Sequence, residues 1–240
     1  MAPVRFRPST MDEGIWNTVM SEREYGPCGP FSASDAVIDI GCHIGAFATY
    51  ALARGARFVA AYDADADNLA LARENLRAWG PAVALRLAAV GRSDQPLGRA
   101  HISAYPTTSE GLVNTGGGKV RWDGRDGTVP SLAFDRVVED ALTARRSVRL
   151  LKLDCEGSEW PILFTSRKLD MVDEIVGEYH ELARDDDDPA RRDIARQWNC
   201  TGPALGAFLR RAGFDVEVSA SNAARLGHFC ARRIGRRVAA

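Results

Sequence analysis

Cysteine and histidine are scarce in this chain of 240 residues, and long hydrophobic runs are absent. The five cysteines include no C-x-x-C pair, so the sequence indicates neither a disulfide framework nor a zinc site and fits reduced thiols. No apolar stretch is as long as a membrane span, and the first residues lack the apolar core of an export signal. We therefore expect a soluble, cytoplasmic protein with no membrane partner.

An excess of charge of either sign is also missing, because the formal net charge at pH 7 is −1. A nearly neutral chain has no general attraction for phosphate backbones, so nucleic acid is not an expected partner. A length of 240 residues with 45% hydrophobic residues is enough for one substantial domain and short for two. Assembly into a homo-oligomer stays open.

What the sequence does contain is a glycine-bearing turn directly after an apolar run. Residues 36–40 read as a buried strand, and Gly41 and Gly45 follow it. Such a turn presents free backbone N–H groups to a crevice, and glycine lets a ligand lie against the backbone. The D-x-G-x-x-x-G spacing differs from the G-x-G-x-x-G of dinucleotide sites, and Asp39 would repel a pyrophosphate. The pattern favours a positively charged nucleotide-like cofactor such as S-adenosylmethionine.

A second apolar strand, predicted over 58–62, ends in Asp63. An acidic side chain about twenty residues after the glycine turn binds ribose hydroxyls in nucleotide folds. Asp63 is therefore the candidate ribose ligand. Asp65 or Asp67 is then the candidate N-cap of the helix that follows, since a side-chain oxygen there satisfies free N–H groups.

Apolar strands alternate with helical segments along most of the chain. We predict strands at 36–40, 58–62, 83–88, 148–153 and 174–179, and then two consecutive strands at 214–218 and 226–232. Alternation predicts a parallel sheet with helices on both faces, and consecutive strands predict an antiparallel pair. This α/β architecture, a mostly parallel seven-stranded sheet with a C-terminal antiparallel strand, resembles the Rossmann-like methyltransferase fold.

Two segments lie outside the alternation. Residues 1–35 are predicted to form an N-terminal helical lid, with a helix over 10–24, ahead of a cofactor-binding domain at 36–240. A segment at about 91–147, rich in Gly, Ser and Thr, is predicted to be a flexible insertion that includes a helix over 132–144.

Acidic side chains crowd the end of the fourth predicted strand, where Asp154, Glu156 and Glu159 surround a glycine. Ligands of open parallel sheets bind outside such strand ends. Clustered carboxylates there are costly unless something positive is bound, be it a cationic cofactor, Lys152 or a metal ion. Asp154 and Glu156 are therefore a candidate Mg²⁺ pair, whereas Glu159 could simply interact with the helix dipole.

Several blocks of the sequence resemble the FkbM family of S-adenosylmethionine-dependent methyltransferases. Residues 37–45 resemble its D-x-G-x-x-x-G turn, residues 151–159 its K-x-D-x-E-G-x-E signature, and residues 177–180 the strand that follows. Residues 132–135 resemble the segment that precedes the signature. The chain departs from the family at residues 62–64, where Tyr-Asp-Ala replaces the usual Phe-Glu-Pro and shortens the reach of the acid.

The resemblance implies transfer of a methyl group to a hydroxyl of a small acceptor, a sugar or a natural product. The residues assigned to the cofactor are Asp39, Gly41, His43, Gly45, Asp63, Ala89, Val90 and Asp154. An aliphatic hydroxyl must lose its proton as the C–O bond forms, and the candidate bases are His180, Asp154, Glu156 and His43. His180 is the first choice, because an unperturbed imidazole with a pKa of ~6.5 is largely neutral at pH 7.

The sequence leaves other functions open. They are N-methylation of a small molecule, a nicotinamide-dependent oxidoreductase, and a scaffold that binds the cofactor without catalysis. His43 has two interpretations, since it lies within the glycine turn and either approaches the acceptor or caps the following helix. The acceptor itself cannot be read from the sequence.

Overall fold

The computed structural model describes residues 3–22, 24–26, 28, 30–124, 127–144, 147–186 and 189–235. The helices are α1 (Asp12–Met20), α2 (Ala46–Ala53), α3 (Ala66–Leu76), α4 (Phe134–Ala144), α5 (Glu159–Thr165), α6 (Pro189–Gln197) and α7 (Gly202–Arg211). The strands are β1 (Asp35–Ile40), β2 (Val59–Asp63), β3 (Val83–Leu87), β4 (Ala89–Gly91), β5 (Arg99–Ile102), β6 (Val120–Gly124), β7 (Ser131–Ala133), β8 (Ser147–Leu153), β9 (Val172–His180), β10 (Phe214–Val218) and β11 (Leu226–Arg233). None of the helices in this described part is both long enough and apolar enough to cross a membrane.

A seven-stranded sheet forms the centre of the molecule, in the order β10-β11-β9-β8-β1-β2-β3. Strands β9, β8, β1, β2 and β3 pair in parallel, and β11 is antiparallel to both of its neighbours. The predicted α/β fold, mostly parallel with a C-terminal antiparallel strand, is confirmed.

The middle strands are apolar on both faces because helices cover both faces. All six residues of β1 are buried. Successive side chains of a strand point to opposite faces. Ile38 accordingly packs in one core cluster with Leu151 and Phe134, and Val37 in a second cluster with Phe47. Continuous apolar runs in the sequence therefore mark the central strands.

The chain leaves β1 in one direction for β2 and later returns on its other side with β8. In open sheets of this kind the ligand crevice lies at this reversal, outside the carboxyl ends of the strands. The parallel strands thus bring Gly41, Asp63, Asp154 and His180 to one edge of the sheet.

The expected flexible insertion has regular structure in its described part. β5 and β6 form an antiparallel pair, and β7 pairs in parallel with β4. The predicted helix over 132–144 begins only at Phe134, because Leu132 and Ala133 belong to β7. Small residues allow close packing within this segment, as where Trp122 lies against Gly91. The flexibility of the segment stays a prediction.

The predicted helix over 10–24 is shorter in the structure, where α1 ends at Met20. Its buried side chains Trp16 and Val19 join the core cluster that contains Phe47 of α2. The N-terminal segment therefore packs directly against the helix that follows the glycine turn.

Candidate functional site

A cavity opens at the carboxyl edge of the parallel strands. Its wall includes Gly41 after β1, Asp63 at the end of β2, Val90 in β4, and Asp154 and Glu178 at the ends of β8 and β9. The N-terminal segment and the insertion complete the wall. Most of the residues singled out in the sequence therefore meet in one place.

The glycines of the turn are required by the packing of the protein itself. Gly41 has a φ of +77°, and a Cβ there would overlap the carbonyl oxygen of Asp154. Gly45 has a φ of +92°, and a Cβ there would lie 2.7 Å from Cδ1 of Leu76. Of these two glycines, Gly41 belongs to the cavity wall and Gly45 does not.

Asp39 does not reach the cavity. Its side chain is fully buried, and neither carboxylate oxygen has a hydrogen bond. Burial raises the pKa of Asp39, although Nζ of Lys152, 3.4 Å from Oδ1, opposes this. Lys152 also donates a 2.6 Å hydrogen bond to the carbonyl of Gly41 and lines the cavity. Asp39 is therefore separated from the cavity, and Lys152 lies between its carboxylate and the cavity wall.

Asp63 lines the cavity and organises the backbone around it. Its Oδ2 accepts the N–H of His43 at 2.7 Å, and its Oδ1 accepts the N–H of Asp65 at 2.8 Å. Asp65 in turn caps α3 by accepting the N–H groups of Asp67 and Asn68, which confirms one of the two predicted caps. Asp63 thus links the ends of β1 and β2 at the position predicted for a ribose.

Ala89 and Val90 form a buried apolar part of the wall. The third strand ends at Leu87, so these two residues belong to the separate short strand β4. Ala89 donates its N–H to the carbonyl of Pro130, which places the insertion beside this part of the cavity.

The opposite end of the cavity is acidic. It is lined by the carboxylates of Glu24, Asp154, Glu156 and Glu178. The hydroxyl of Tyr25 lies 2.7 Å from Oδ2 of Asp154 and 2.8 Å from Oε1 of Glu24, so one proton serves two acceptors. Burial, together with the charge of Asp154, raises the pKa of Glu24 to about 7. Glu24 and Tyr25 lie outside any sequence motif, so no local pattern predicts their place in the site.

Glu156 adopts an unusual backbone conformation for a residue with a side chain, with a φ of +56°. Such positions cost free energy and concentrate at functional sites. Burial raises its pKa to about 7, and the charge of His180 opposes this rise. Its ion pair among the described residues is with Nε2 of His180, at 3.4 Å.

His180 is 7% exposed and is surrounded by carboxylates. Nδ1 lies 3.4 Å from Glu159, and Nε2 lies 3.2 Å from Glu178 and 3.4 Å from Glu156. Burial acts to lower the pKa of His180, but these carboxylates raise it well above 6.5. These contacts favour the charged imidazole over the neutral form expected from an unperturbed pKa, and His180 is not part of the cavity wall.

Glu159 interacts with the start of a helix and also with a positively charged group, the two roles that the sequence left open. Its carboxylate accepts the N–H groups of Cys155 at 2.8 Å and Gly157 at 2.9 Å at the start of α5. Burial acts to raise the pKa of Glu159, but the charge of His180 and the N–H of Cys155 lower it. The carboxylate of Glu159 thus accepts hydrogen bonds from backbone N–H groups at the start of α5 and also forms an ion pair with the imidazole of His180.

His43 is held by a buried network that crosses long distances in sequence. Its Nε2 lies 2.9 Å from Oγ1 of Thr115 and 3.2 Å from Oδ1 of Asp12. Arg7 donates to both carboxylate oxygens of Asp12 and also to Asn68. The side chain of His43 does not cap α2. It lies near Asp63, whereas the carboxylates of Asp154 and Glu156 lie at the acidic end of the cavity.

Of the candidate Mg²⁺ pair, Asp154 also belongs to a second group of possible metal ligands. Within the described residues, one ligand atom each of Asp154, Glu178 and His180 lies within 4.8 Å of the others. Glu178, like Asp154, lies near the carboxyl end of a central strand, where ligands of open parallel sheets bind.

No protein-family model matches the sequence. No curated protein matches it either. Among solved structures, it is similar to the pyocyanin biosynthetic protein PhzM, with 16% identity and a TM-score of 0.41 over 93% of this chain. The chain spans 56% of the length of that protein.

Two other similar structures are matched over nearly their full length. One is a SAM-dependent methyltransferase from Aquifex aeolicus, at 14% identity and a TM-score of 0.43, over 95% of this chain and 94% of that one. The other is precorrin-6y C5,15-methyltransferase from Geobacter metallireducens, at 12% identity and a TM-score of 0.45, over 95% and 92%. With such low identities and TM-scores below 0.5, the function of the chain rests on its own residues.

Proposed function

We propose that the protein is an S-adenosylmethionine-dependent O-methyltransferase related to the FkbM family. The observation that carries this proposal is a single cavity that joins the apolar wall of Ala89 and Val90, and Asp63, to an acidic end at Asp154 and Glu156. A nucleoside fits the first part. The second part suits the positive charge of a sulfonium.

The charge of the cavity wall agrees with such a cofactor. Among the described residues, the wall carries five carboxylates, one ammonium group from Lys152 and no guanidinium. Burial raises the pKa of Asp63 and that of Asp154. A cationic ligand would relieve this unbalanced negative charge, whereas a dinucleotide pyrophosphate would add to it. S-adenosylmethionine, when bound, supplies the methyl group.

At the nucleoside end, the chain offers a carboxylate for the ribose and an apolar wall for the base. Two backbone N–H groups already hold the carboxylate of Asp63 in place, so it can accept hydrogen bonds from the ribose hydroxyls without moving. Ala89 and Val90 are 1% and 3% exposed, which fits contact with a flat aromatic ring. Gly41, whose carbonyl is held by Lys152, forms the floor beside them.

At the acidic end, Glu156 is the carboxylate that we assign as the base. Its side chain lines the cavity, and its strained backbone aims it there. Asp154, by contrast, already accepts the hydroxyl of Tyr25 and lies 3.9 Å from Lys152. A proton from an acceptor hydroxyl would therefore pass to Glu156 as the C–O bond forms.

The N-terminal segment is proposed to act as a lid over both ends of the cavity. Ile15, Glu24 and Tyr25 line it, and Asp12 ties the segment to His43 and to Thr115 of the insertion. Much of the rate enhancement in such a site comes from positioning the two reactants and excluding water.

The test is methyl transfer to a panel of hydroxylated sugars and natural-product scaffolds, with S-adenosylhomocysteine measured as the common product. We expect acceptor-dependent formation of S-adenosylhomocysteine, with the new methyl group on an oxygen by mass spectrometry and NMR. Parallel amine acceptors separate O- from N-methylation. Methylation confined to nitrogen would overturn the assignment of the acceptor atom.

A further inference from the structure

We propose that Asp154, Glu178 and His180 bind one divalent transition-metal ion at the acidic end of the cavity. The inference rests on the proposed function, because the ion would lie where the acceptor is expected. One ligand atom of each of the three side chains lies within 4.8 Å of the others. When the ion binds, it takes the place of the proton on His180, so that two carboxylates and a neutral imidazole match the charge of a divalent cation.

The sheet itself produces this convergence. Leu153 pairs with Gly177 in the parallel register of β8 and β9, so Asp154 and Glu178 each come one residue later. Glu178 and His180 are separated by two positions in β9 and therefore project from the same face. Three ligands thus come from the ends of two rigid, neighbouring strands.

A second observation concerns the imidazole. His180 is 7% exposed, and its Nδ1 is a buried atom with no hydrogen bond. Its Nε2 points among the carboxylates, 3.2 Å from Oε2 of Glu178. The carboxylate of Glu159, fixed by two backbone N–H groups, stands 3.4 Å behind Nδ1. In histidines that ligate metals, the second ring nitrogen donates its N–H to a carboxylate, and Glu159 is the carboxylate placed opposite Nδ1 here.

The donor set also selects the kind of cation. An organic ammonium ion can be bound by carboxylates that surround it. Here one imidazole nitrogen and two carboxylate oxygens lie within 4.8 Å of one another, which is close enough to coordinate a single ion. Imidazole favours transition metals over Mg²⁺ and Ca²⁺, and carboxylates suit Mn²⁺. An ion with open positions would orient the acceptor and lower the pKa of its hydroxyl.

The test is titration of the full chain with Mn²⁺ alone, followed by electron paramagnetic resonance. We expect saturable binding of one ion per chain, with a hyperfine coupling from imidazole nitrogen. Asp154→Asn, Glu178→Gln and His180→Ala should each weaken binding by tenfold or more. Glu110→Gln removes a carboxylate at an exposed position outside the cavity wall, so the affinity of this control should stay unchanged.

Two results would overturn the site: no saturable binding of Mn²⁺ to the folded wild type, or ligand variants that bind Mn²⁺ as tightly as Glu110→Gln does. The nitrogen coupling is measured on the wild type and does not depend on whether a variant folds. Its absence would exclude His180 as a ligand. Calorimetry with S-adenosylhomocysteine on the same sample separates the two proposals, because cofactor binding without Mn²⁺ binding contradicts only the metal site.

Discussion

Gly41→Ala is expected to abolish binding of S-adenosylhomocysteine and to lower the free energy of unfolding by roughly 3 kcal/mol or more. The methyl group would overlap the backbone carbonyl oxygen of Asp154, and the residue would keep a φ of +77°. A shift of either strand to relieve this overlap would break backbone hydrogen bonds, because β1 and β8 are paired along their whole length and are buried. Urea unfolding and isothermal titration calorimetry measure the two effects.

Gly111→Ala is the matched control. Gly111 has a φ of +81°, but a Cβ there would meet no atom within 4 Å. The conformational cost alone is about 1 kcal/mol, and binding should persist. If Gly41→Ala were no more destabilising than Gly111→Ala, the close approach of the two strand ends would be wrong.

Glu156→Gln is expected to lower kcat for the acceptor found by screening by about 10²- to 10⁴-fold, the usual contribution of a general base. The amide keeps the shape of the side chain but cannot accept the proton. The dissociation constant of S-adenosylhomocysteine should stay nearly unchanged, since the residue lies at the end of the cavity away from Ala89 and Val90. Steady-state kinetics and calorimetry on the same preparation separate the two effects.

Two further variants sharpen this result. Glu156→Asp keeps a carboxylate and a residue type that tolerates a positive φ, so it should recover part of the lost turnover. Glu110→Gln removes a carboxylate from an exposed position and should leave kcat unchanged. An unchanged kcat in Glu156→Gln would remove Glu156 as the base and leave Asp154 or Glu24 to be tested.

The fold was predictable because its signals are local. Each strand of the central sheet was predicted to within two residues, since buried parallel strands are short apolar runs between helices. The C-terminal hairpin followed from two strands without a helix between them. Strand ends then indicated which residues would share one edge of the sheet, and Asp63 and Asp154 lie there.

The parts that sequence analysis missed depend on contacts between distant segments. Thr115 donates to Asp12 across 103 positions, and Tyr25 to Asp154 across 129. No local sequence pattern predicts such hydrogen-bonded pairs. The state of His180 was misjudged for the same reason, because it depends on carboxylates contributed by β9, α5 and the turn after β8. A sequence shows that a histidine is present but not how many charges surround it.

The measurement that tests the central claim most directly is calorimetric titration of the purified chain with S-adenosylmethionine, S-adenosylhomocysteine and NADH in parallel. We expect the first two to bind and NADH not to bind, because the cavity wall carries five carboxylates and one ammonium group. Binding of NADH without the other two would contradict a methyltransferase site and favour a nicotinamide-dependent enzyme.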